Sequence, residues 1–236
     1  MEVVKDKTVS EFVTENIKTA HVFKKFGIDF CCGGGITIAK ACAKFDVNQE
    51  LLEKELLEVE KTVDRNHNYN QWDLSFLIDH IINVHHTYVN ESLPIISEYA
   101  NKVAKVHGHH YTEVVEINRL FHEVANELLS HLQKEEQVLF PFIKKMVQAD
   151  NMEVSAPFGS VNNPIAMMEH EHESAGNIFK EIEQLTNGYT PPPEACNTFR
   201  ALYSKLEEFE QDLHLHIHLE NNILHPKAIA LEKKMS

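Results

Sequence analysis

Positive charge is scarce in this chain. Lys and Arg number 22 against 36 Asp and Glu, a formal net charge of -14 over 236 residues. That balance argues against nucleic acid or an anionic membrane surface as partner. Its plain consequence is solubility. Long apolar runs are also missing: none approaches the roughly 18–20 residues that span a bilayer. The opening MEVVKDKTVSEF lacks the apolar stretch of a secretory leader. Cysteine is rare. Cys31, Cys32, Cys42 and Cys196 are too few for a disulfide framework at this length, so a reducing cytoplasm is the expected compartment. Strand-like alternation is nearly absent, so the expected fold class is all-α. Apolar residues still make up 43%, enough to bury a core.

Histidine is what the chain has in excess. There are 16, most of them beyond residue 66. Two sit in a repeated string. His131-x3-Glu135-x2-Val138-Leu139-x-Pro141 recurs 85 residues later as His216-x3-Glu220-x2-Ile223-Leu224-x-Pro226. Each copy puts an imidazole and a carboxylate one helical turn apart on one face.

Residues 1–60 read as a small helical domain. Helices are expected at Thr8 to Ile17, Thr19 to Phe26 (with Gly27 as cap), Thr37 to Phe45 and Asn48 to Glu60. The glycine-rich stretch from Ile28 to Gly35 reads as a turn. Residues 61–72 are polar and linker-like. Residues 73–236 then hold four long helices: Asp73 to Lys105, Tyr111 to Val147 (bent or ended by Pro141), Pro164 to Thr186, and Glu194 to His225. Their connections suit an antiparallel bundle.

Spacing alone does not make a site. Composition predicts about two His-x3-Glu matches by chance, and three exist, including His109/Glu113 at a ragged helix start. Position on the helix decides. In the fourth long helix Phe199, Leu202, Leu206, Phe209, Leu213, His216, Glu220 and Ile223 step by three and four along an inward seam. In the second, Ile117, Phe121, Val124, Leu128, His131, Glu135, Val138 and Phe142 do the same. The third carries His172 on its seam and His170 off it. The first is ambiguous: Ile82, His86, Val89, Leu93 and Ile96 make one stripe, and Ile78, Ile81, His85, Tyr88 and Ile95 another. His86 to His172 spans 86 residues, close to the repeat of 85, and this favours His86.

A lone histidine on an apolar face is usually a hydrogen-bonded core residue. Four with two glutamates are different. Two buried carboxylates at one level repel each other, no Lys or Arg shares their seams, and cations between them remove the penalty. Donors of nitrogen and oxygen without thiolate argue against a structural zinc site. Two carboxylates crossing a bundle can bridge two ions. Iron is the expected metal; manganese and zinc stay open on ligand type alone. The remaining histidines, among them His85, His109, His110, His170, His214 and His218, are expected to be exposed or to back the ligands. Glu136 and Glu169 are expected on a solvated face, with lining of an access path as the alternative, and Cys42 and Cys196 as packed thiols.

Several strings resemble the iron–sulfur cluster repair proteins, also called repair-of-iron-centres proteins. They are His131-Leu-Gln-Lys-Glu135-Glu-Gln-Val-Leu-Phe-Pro141, Met168-Glu-His-Glu-His172-Glu-Ser-Ala-Gly176, Pro191-Pro-Pro-Glu-Ala-Cys196 and His216-Ile-His-Leu-Glu220-Asn-Asn-Ile-Leu. Gly27-Ile-Asp-Phe-Cys-Cys-Gly-Gly resembles the signature of that family's small cysteine domain. The resemblance implies a haemerythrin-like four-helix bundle behind the small helical domain. It implies two iron ions, oxo- and carboxylate-bridged, held by His86, His131, Glu135, His172, His216 and Glu220. It also implies a stress-response protein whose partners are iron–sulfur proteins damaged by nitric oxide or oxidants.

Cys31 and Cys32 are adjacent, a geometry that strains a mutual disulfide. A thiol function, in iron ligation, nitrosyl or persulfide trapping, or disulfide exchange, is the expectation for them; a buried structural pair is the rival. No catalytic residue is assigned. Iron supply is the first functional reading. A di-iron enzyme reducing nitric oxide or nitrite is the second, and reversible dioxygen binding the third. Small ligands such as NO or O2 at the metal, and a monomer or homodimer, fit all three.

Overall fold

In this computed structural model the described residues are 7–60, 68–149, 154 and 156–235. Among them the chain is helical, apart from turns, loops and one isolated bridge between Thr8 and Thr37. The first seven residues of the expected linker, 61–67, lie outside the described residues.

Four short helices come first: α1 (Val9–Glu15), α2 (Thr19–Lys25), α3 (Ile38–Phe45) and α4 (Gln49–Glu60). Local chemistry sets their ends. Thr8 and Glu11 form a reciprocal capping box at α1. Gly27 ends α2 with φ +66°, while the N–H of Ile28 bonds the carbonyl of Phe23 and that of Gly27 bonds Lys24, a Schellman closure. Thr37 caps α3.

The bundle follows. Its first helix, α5, joins Leu74–His80, Ile81–His86 and Thr87–His107. The second, α6, joins Glu113–Lys134, Glu135–Leu139 and Phe140–Gln148. The third is α7 (Asn162–Leu185). The fourth, α8, joins Asn197–Leu219, Glu220–Leu224 and His225–Met235. Each neighbours the next around a closed ring, α5 beside α6, α6 beside α7, α7 beside α8 and α8 beside α5. The last helix does not stop at His225. Its extra turns bury Ala228, and Glu232 binds the Val161 N–H and the Ser160 hydroxyl at the start of α7.

Three of the long helices widen to a π turn: at Ile81–His86, Glu135–Leu139 and Glu220–Leu224. This resolves the ambiguous first helix. Ile78 and Ile81 are buried up to the start of the wide turn; His86, Val89, Leu93 and Ile96 are buried from its end onward. One stripe holds ahead of the turn and the other beyond it, where Ile95 of the first stripe is 44% exposed, and the turn steps between them by five residues. The same device moves Val138 off the seam. It is 46% exposed, and Leu139 takes the inward place. Pro141 therefore does not end α6: the wide turn ahead of it accommodates the missing N–H.

The small helices share a core with the bundle. Phe12, Phe23, Phe30 and Ile38 belong to one continuous apolar cluster with Phe121, Phe179, Phe199 and Phe209. Lys24 reaches across to the buried Glu210 at 2.6 Å. Tyr69, in the expected linker, is itself buried against Trp72.

Candidate metal centre

The six side chains expected as ligands converge inside the bundle. His86, His131 and His172, like His216, are at most 2% exposed, and Glu135 and Glu220 are fully buried. They form two groups whose ligand atoms lie within 4.8 Å of one another: His86, Glu135, His216 and Glu220; and His131, Glu135, His172 and Glu220. Both glutamates belong to both groups. Each group takes one histidine from each helical hairpin, so neither hairpin holds a complete site.

The imidazoles point the same way. Nε2 of His86 and of His131 each face Glu135 Oε2 at 3.4 Å. Nε2 of His172 faces Glu220 Oε2 at 3.2 Å, and Nε2 of His216 faces Glu220 Oε1 at 3.1 Å. Behind them, Nδ1 of His86 donates to Glu136 at 2.8 Å, Nδ1 of His131 to Glu171 at 2.8 Å, and Nδ1 of His172 to the Asn221 side-chain oxygen at 2.8 Å. These bonds place the hydrogen on Nδ1 and leave the Nε2 lone pair facing inward. The Nε2 atoms of His131 and His172 are only 3.0 Å apart. Two lone pairs at that distance need a proton or a cation between them.

The backing residues follow a rule around the ring. Glu136 of α6 backs His86 of α5, Glu171 of α7 backs His131 of α6, and Asn221 of α8 backs His172 of α7. Each flanks a ligand on its own helix. The fourth place is filled by His85 of α5, whose ring stacks on His216 of α8 at 5.4 Å instead of bonding it.

Electrostatics alone leaves the site unbalanced. Burial, and then the charge of Glu220, push the Glu135 carboxyl up to about 8. Burial works against the Glu220 carboxylate too, but His216 and His172 outweigh it and hold it well below the usual range. Burial holds His86, His131 and His216 below the ordinary imidazole value. It opposes the His172 charge as well, but the facing Glu220 carboxylate and then the charge of Glu135 lift it to about 9. Both oxygens of Glu135, Oε2 of Glu220 and Nε2 of His86 have no hydrogen-bond partner although buried. Orphaned acceptors on a fully buried carboxylate are rare and call for a ligand. The donor set therefore fits a bound metal.

Comparison with known proteins agrees with this geometry. Residues 77–228 match the model described as the haemerythrin HHE cation binding domain. Residues 5–60 match a domain described as of unknown function, DUF542. The chain is 36% identical over 229 residues, 97% of its length and 99% of theirs, to proteins named iron–sulfur cluster repair protein YtfE from Escherichia coli (strain K12 / DH10B) and Shigella boydii serotype 4 (strain Sb227). The chain belongs to this family. Its haemerythrin domain is the bundle, and its DUF542 segment is the four-helix cap that carries Cys31, Cys32 and Cys42.

In this family member the cysteine loop is tied down by Asp29. That carboxylate accepts the N–H groups of Cys31, Cys32 and Gly33 at 2.9, 3.1 and 2.9 Å. A Cβ on Gly34 would stand 2.3 Å from the Phe30 carbonyl oxygen, so close approach explains that glycine. Cys31 is buried; Cys32 is exposed. Its bond with Cys32, and then burial, raise the Cys31 thiol well above the usual range, while the same bond lowers Cys32. The loop lies over the bundle. Asn222 donates to the Cys31 carbonyl at 3.0 Å, and the Asn221 amide stands 3.8 Å from the Cys32 sulfur. A cleft of about 840 Å³ opens there, lined among others by Asp29, Cys32, Glu169, His170, Glu173 and Asn221.

Several sequence expectations change. His85 backs His216, one of the places expected for it, and is buried against Asp212 at 2.9 Å, whereas His218 is buried against Phe30. Glu136 and Glu169 are exposed as expected, and each also faces a buried histidine. Cys42 is buried as expected, but Cys196 is exposed beside His107 at 3.3 Å. Glu171 and Asn221 were not singled out from sequence; their one available signal is adjacency to a ligand.

Proposed function

We propose that this chain repairs iron–sulfur proteins by holding two iron ions in the bundle and supplying iron to a damaged cluster. His86, His131, His172 and His216 would each give one nitrogen, and Glu135 and Glu220 would bridge. What carries the reading is the pair of buried carboxylates with unpartnered oxygens shared between two imidazole groups. The name of the relatives supports the repair role. When bound, iron in such a nitrogen and oxygen set is held less tightly than by thiolates, which suits a donor.

The chain's own residues prepare that task. Glu136, Glu171 and Asn221 fix three imidazoles with Nε2 inward. The burial of all six side chains keeps bulk water from them. Asp29 holds the loop so that Cys32 faces the cleft above Asn221. The recipient is proposed to be an iron–sulfur protein damaged by nitric oxide or oxidants in the cytoplasm, where thiols stay reduced.

The test is transfer. Protein loaded with labelled iron is mixed anaerobically with an iron–sulfur dehydratase inactivated by nitric oxide. Label in the restored enzyme is the expected outcome. Recovery that draws only on free iron, with none from the labelled protein, defeats the proposal.

A further inference from the structure

Outside the six clustered side chains lies another buried imidazole. His225 follows the wide turn Glu220–Leu224 and is 0% exposed, yet neither ring nitrogen makes a hydrogen bond. Its ring lies parallel to that of His172, with centroids 6.2 Å apart and planes 5° apart. Its Nδ1 stands 3.5 Å from Glu169 Oε1. Glu169 sits on α7 one turn before His172, is about half exposed (side chain 47%), and lines the cleft under Cys32. A continuous row therefore runs from the buried cluster through His172, His225 and Glu169 to the open cleft.

A nitrogen and a carboxylate oxygen that share one ion at about 2.1 Å and a tetrahedral angle stand about 3.4 Å apart. The observed separation suits such a bridge and is too long for a direct hydrogen bond of ordinary strength. Buried imidazoles with both nitrogens unfilled are uncommon.

We infer that Glu169 and His225 form a transit site for a divalent metal ion passing between the His131/His172 group and the cleft. The inference rests on the iron-supply reading and gives it a route. Two protein ligands retain an ion weakly, whereas a resident ion takes four or more. Weak retention is what a transit site requires. His172 is also the suitable point of departure. An amide, Asn221, backs it, whereas carboxylates back His86 and His131. Carboxylate backing raises imidazole basicity and metal affinity, so the His172 bond is the easier one to exchange. No electron moves in this step: the ion exchanges one imidazole for another and keeps its charge.

The experiment uses the full chain loaded anaerobically with ferrous iron and a colorimetric ferrous chelator as acceptor. Glu169→Gln, His225→Gln and the double variant are compared with wild type. Iron content at the start should be unchanged. Release should slow by about tenfold in each single variant, and the double should be no slower than the slower single, since both act on one step. Glu173→Gln removes a charge from the same cleft outside the pair and should release iron at the wild-type rate. Glu169 is exposed, so its variant keeps the fold even where His225→Gln does not. Wild-type release from Glu169→Gln, equal slowing in Glu173→Gln, or loss of bound iron from Glu169→Gln before the chelator is added each overturns the transit site. The chelator replaces the recipient protein, so failure of transfer to a damaged enzyme would defeat the repair reading and leave this result standing.

Discussion

Replacing Glu135 by glutamine should strengthen the metal-free protein and weaken the metal-loaded one. Glu135 is fully buried with both oxygens unpartnered, and its ligand oxygen lies within 4.8 Å of that of Glu220. At an effective dielectric of about 20, two unit charges at that distance repel by about 3 kcal/mol. The protein avoids this by holding Glu135 neutral, its carboxyl pushed up to about 8. Folding at pH 7 must then protonate a group that is ionised when unfolded. From an unfolded value of 4.5 that costs about 3 kcal/mol, at about 1.4 kcal/mol per pH unit. The two routes agree in size. Glutamine removes the charge but keeps a buried amide, which costs about 1–2 kcal/mol where unpaired. The net gain is about 1–2 kcal/mol, or a melting temperature about 4 °C higher. Because Glu135 belongs to both groups of ligands, the same change should remove at least half of the bound metal.

The assay is thermal unfolding followed by far-UV circular dichroism, on chelator-treated protein and on reloaded protein, with metal counted beforehand. A structural glutamate, bonded to its surroundings, would give the opposite sign in the metal-free state. A lower melting temperature for metal-free Glu135→Gln, or wild-type metal content in that variant, refutes the reasoning.

Four further outcomes are expected. Metal-free protein should lose stability from pH 6.5 to 9: Glu135, raised to about 8, and His172, raised to about 9, favour their protonated forms in the folded state, and that advantage is lost as pH rises through those values. The lowered values of His86, His131 and His216 act only below their ordinary range, so a melting temperature at pH 9 that is not at least about 3 °C below that at pH 6.5 contradicts the assignment. Glu171→Ala should lower metal affinity by about tenfold or more while leaving helix content intact, since it removes the acceptor behind His131; competition with a calibrated chelator reads this. Lys24→Ala leaves the buried Glu210 without its 2.6 Å partner and should cost about 1–3 kcal/mol, the half-screened share of a buried pair, seen as earlier unfolding in urea. Iodoacetamide should modify Cys32 before Cys31 at pH 7.5, by peptide mapping, because Cys32 is exposed and lowered while Cys31 is buried and raised; reversed order sinks that account.

How much of this was legible in sequence depends on how far each residue acts. The inward seams of α6 and α8 were readable because their repeat of three and four residues is local, and His131, Glu135, His216 and Glu220 lie on it. His172 was readable for the same reason. Neighbour-to-neighbour partnerships were not. Glu136 backs His86 and Glu171 backs His131 only because the adjacent helix presents its flank at that level, a fact that no single-helix pattern contains. The burial of His218 was hidden for a related reason: Phe30 of the cysteine loop covers it, and that contact spans much of the chain.

The wide turns show where helical periodicity itself misleads. A seam read at 3.6 residues per turn puts Val138 inside and splits α5 into two rival stripes. The structure places a π turn at or just after a ligand in each of these helices, and the register shifts there. One sequence cue was present: Pro141 and Pro226 each stand six residues after a glutamate ligand, where an ordinary helix would be strained by the missing N–H. The extra residue lets the histidine and glutamate before the turn and the apolar side chains after it all face inward. That gives the repeated string its physical meaning. The glutamate supplies the carboxylate that both groups share, and the proline six residues on favours the wider turn that keeps this carboxylate buried without giving up the core beyond it. In α5 no proline stands at that spacing; there the Thr87 hydroxyl and the Asn90 amide donate to the Ile82 and His86 carbonyls at the turn, and that is the helix whose ligand spacing could only suggest.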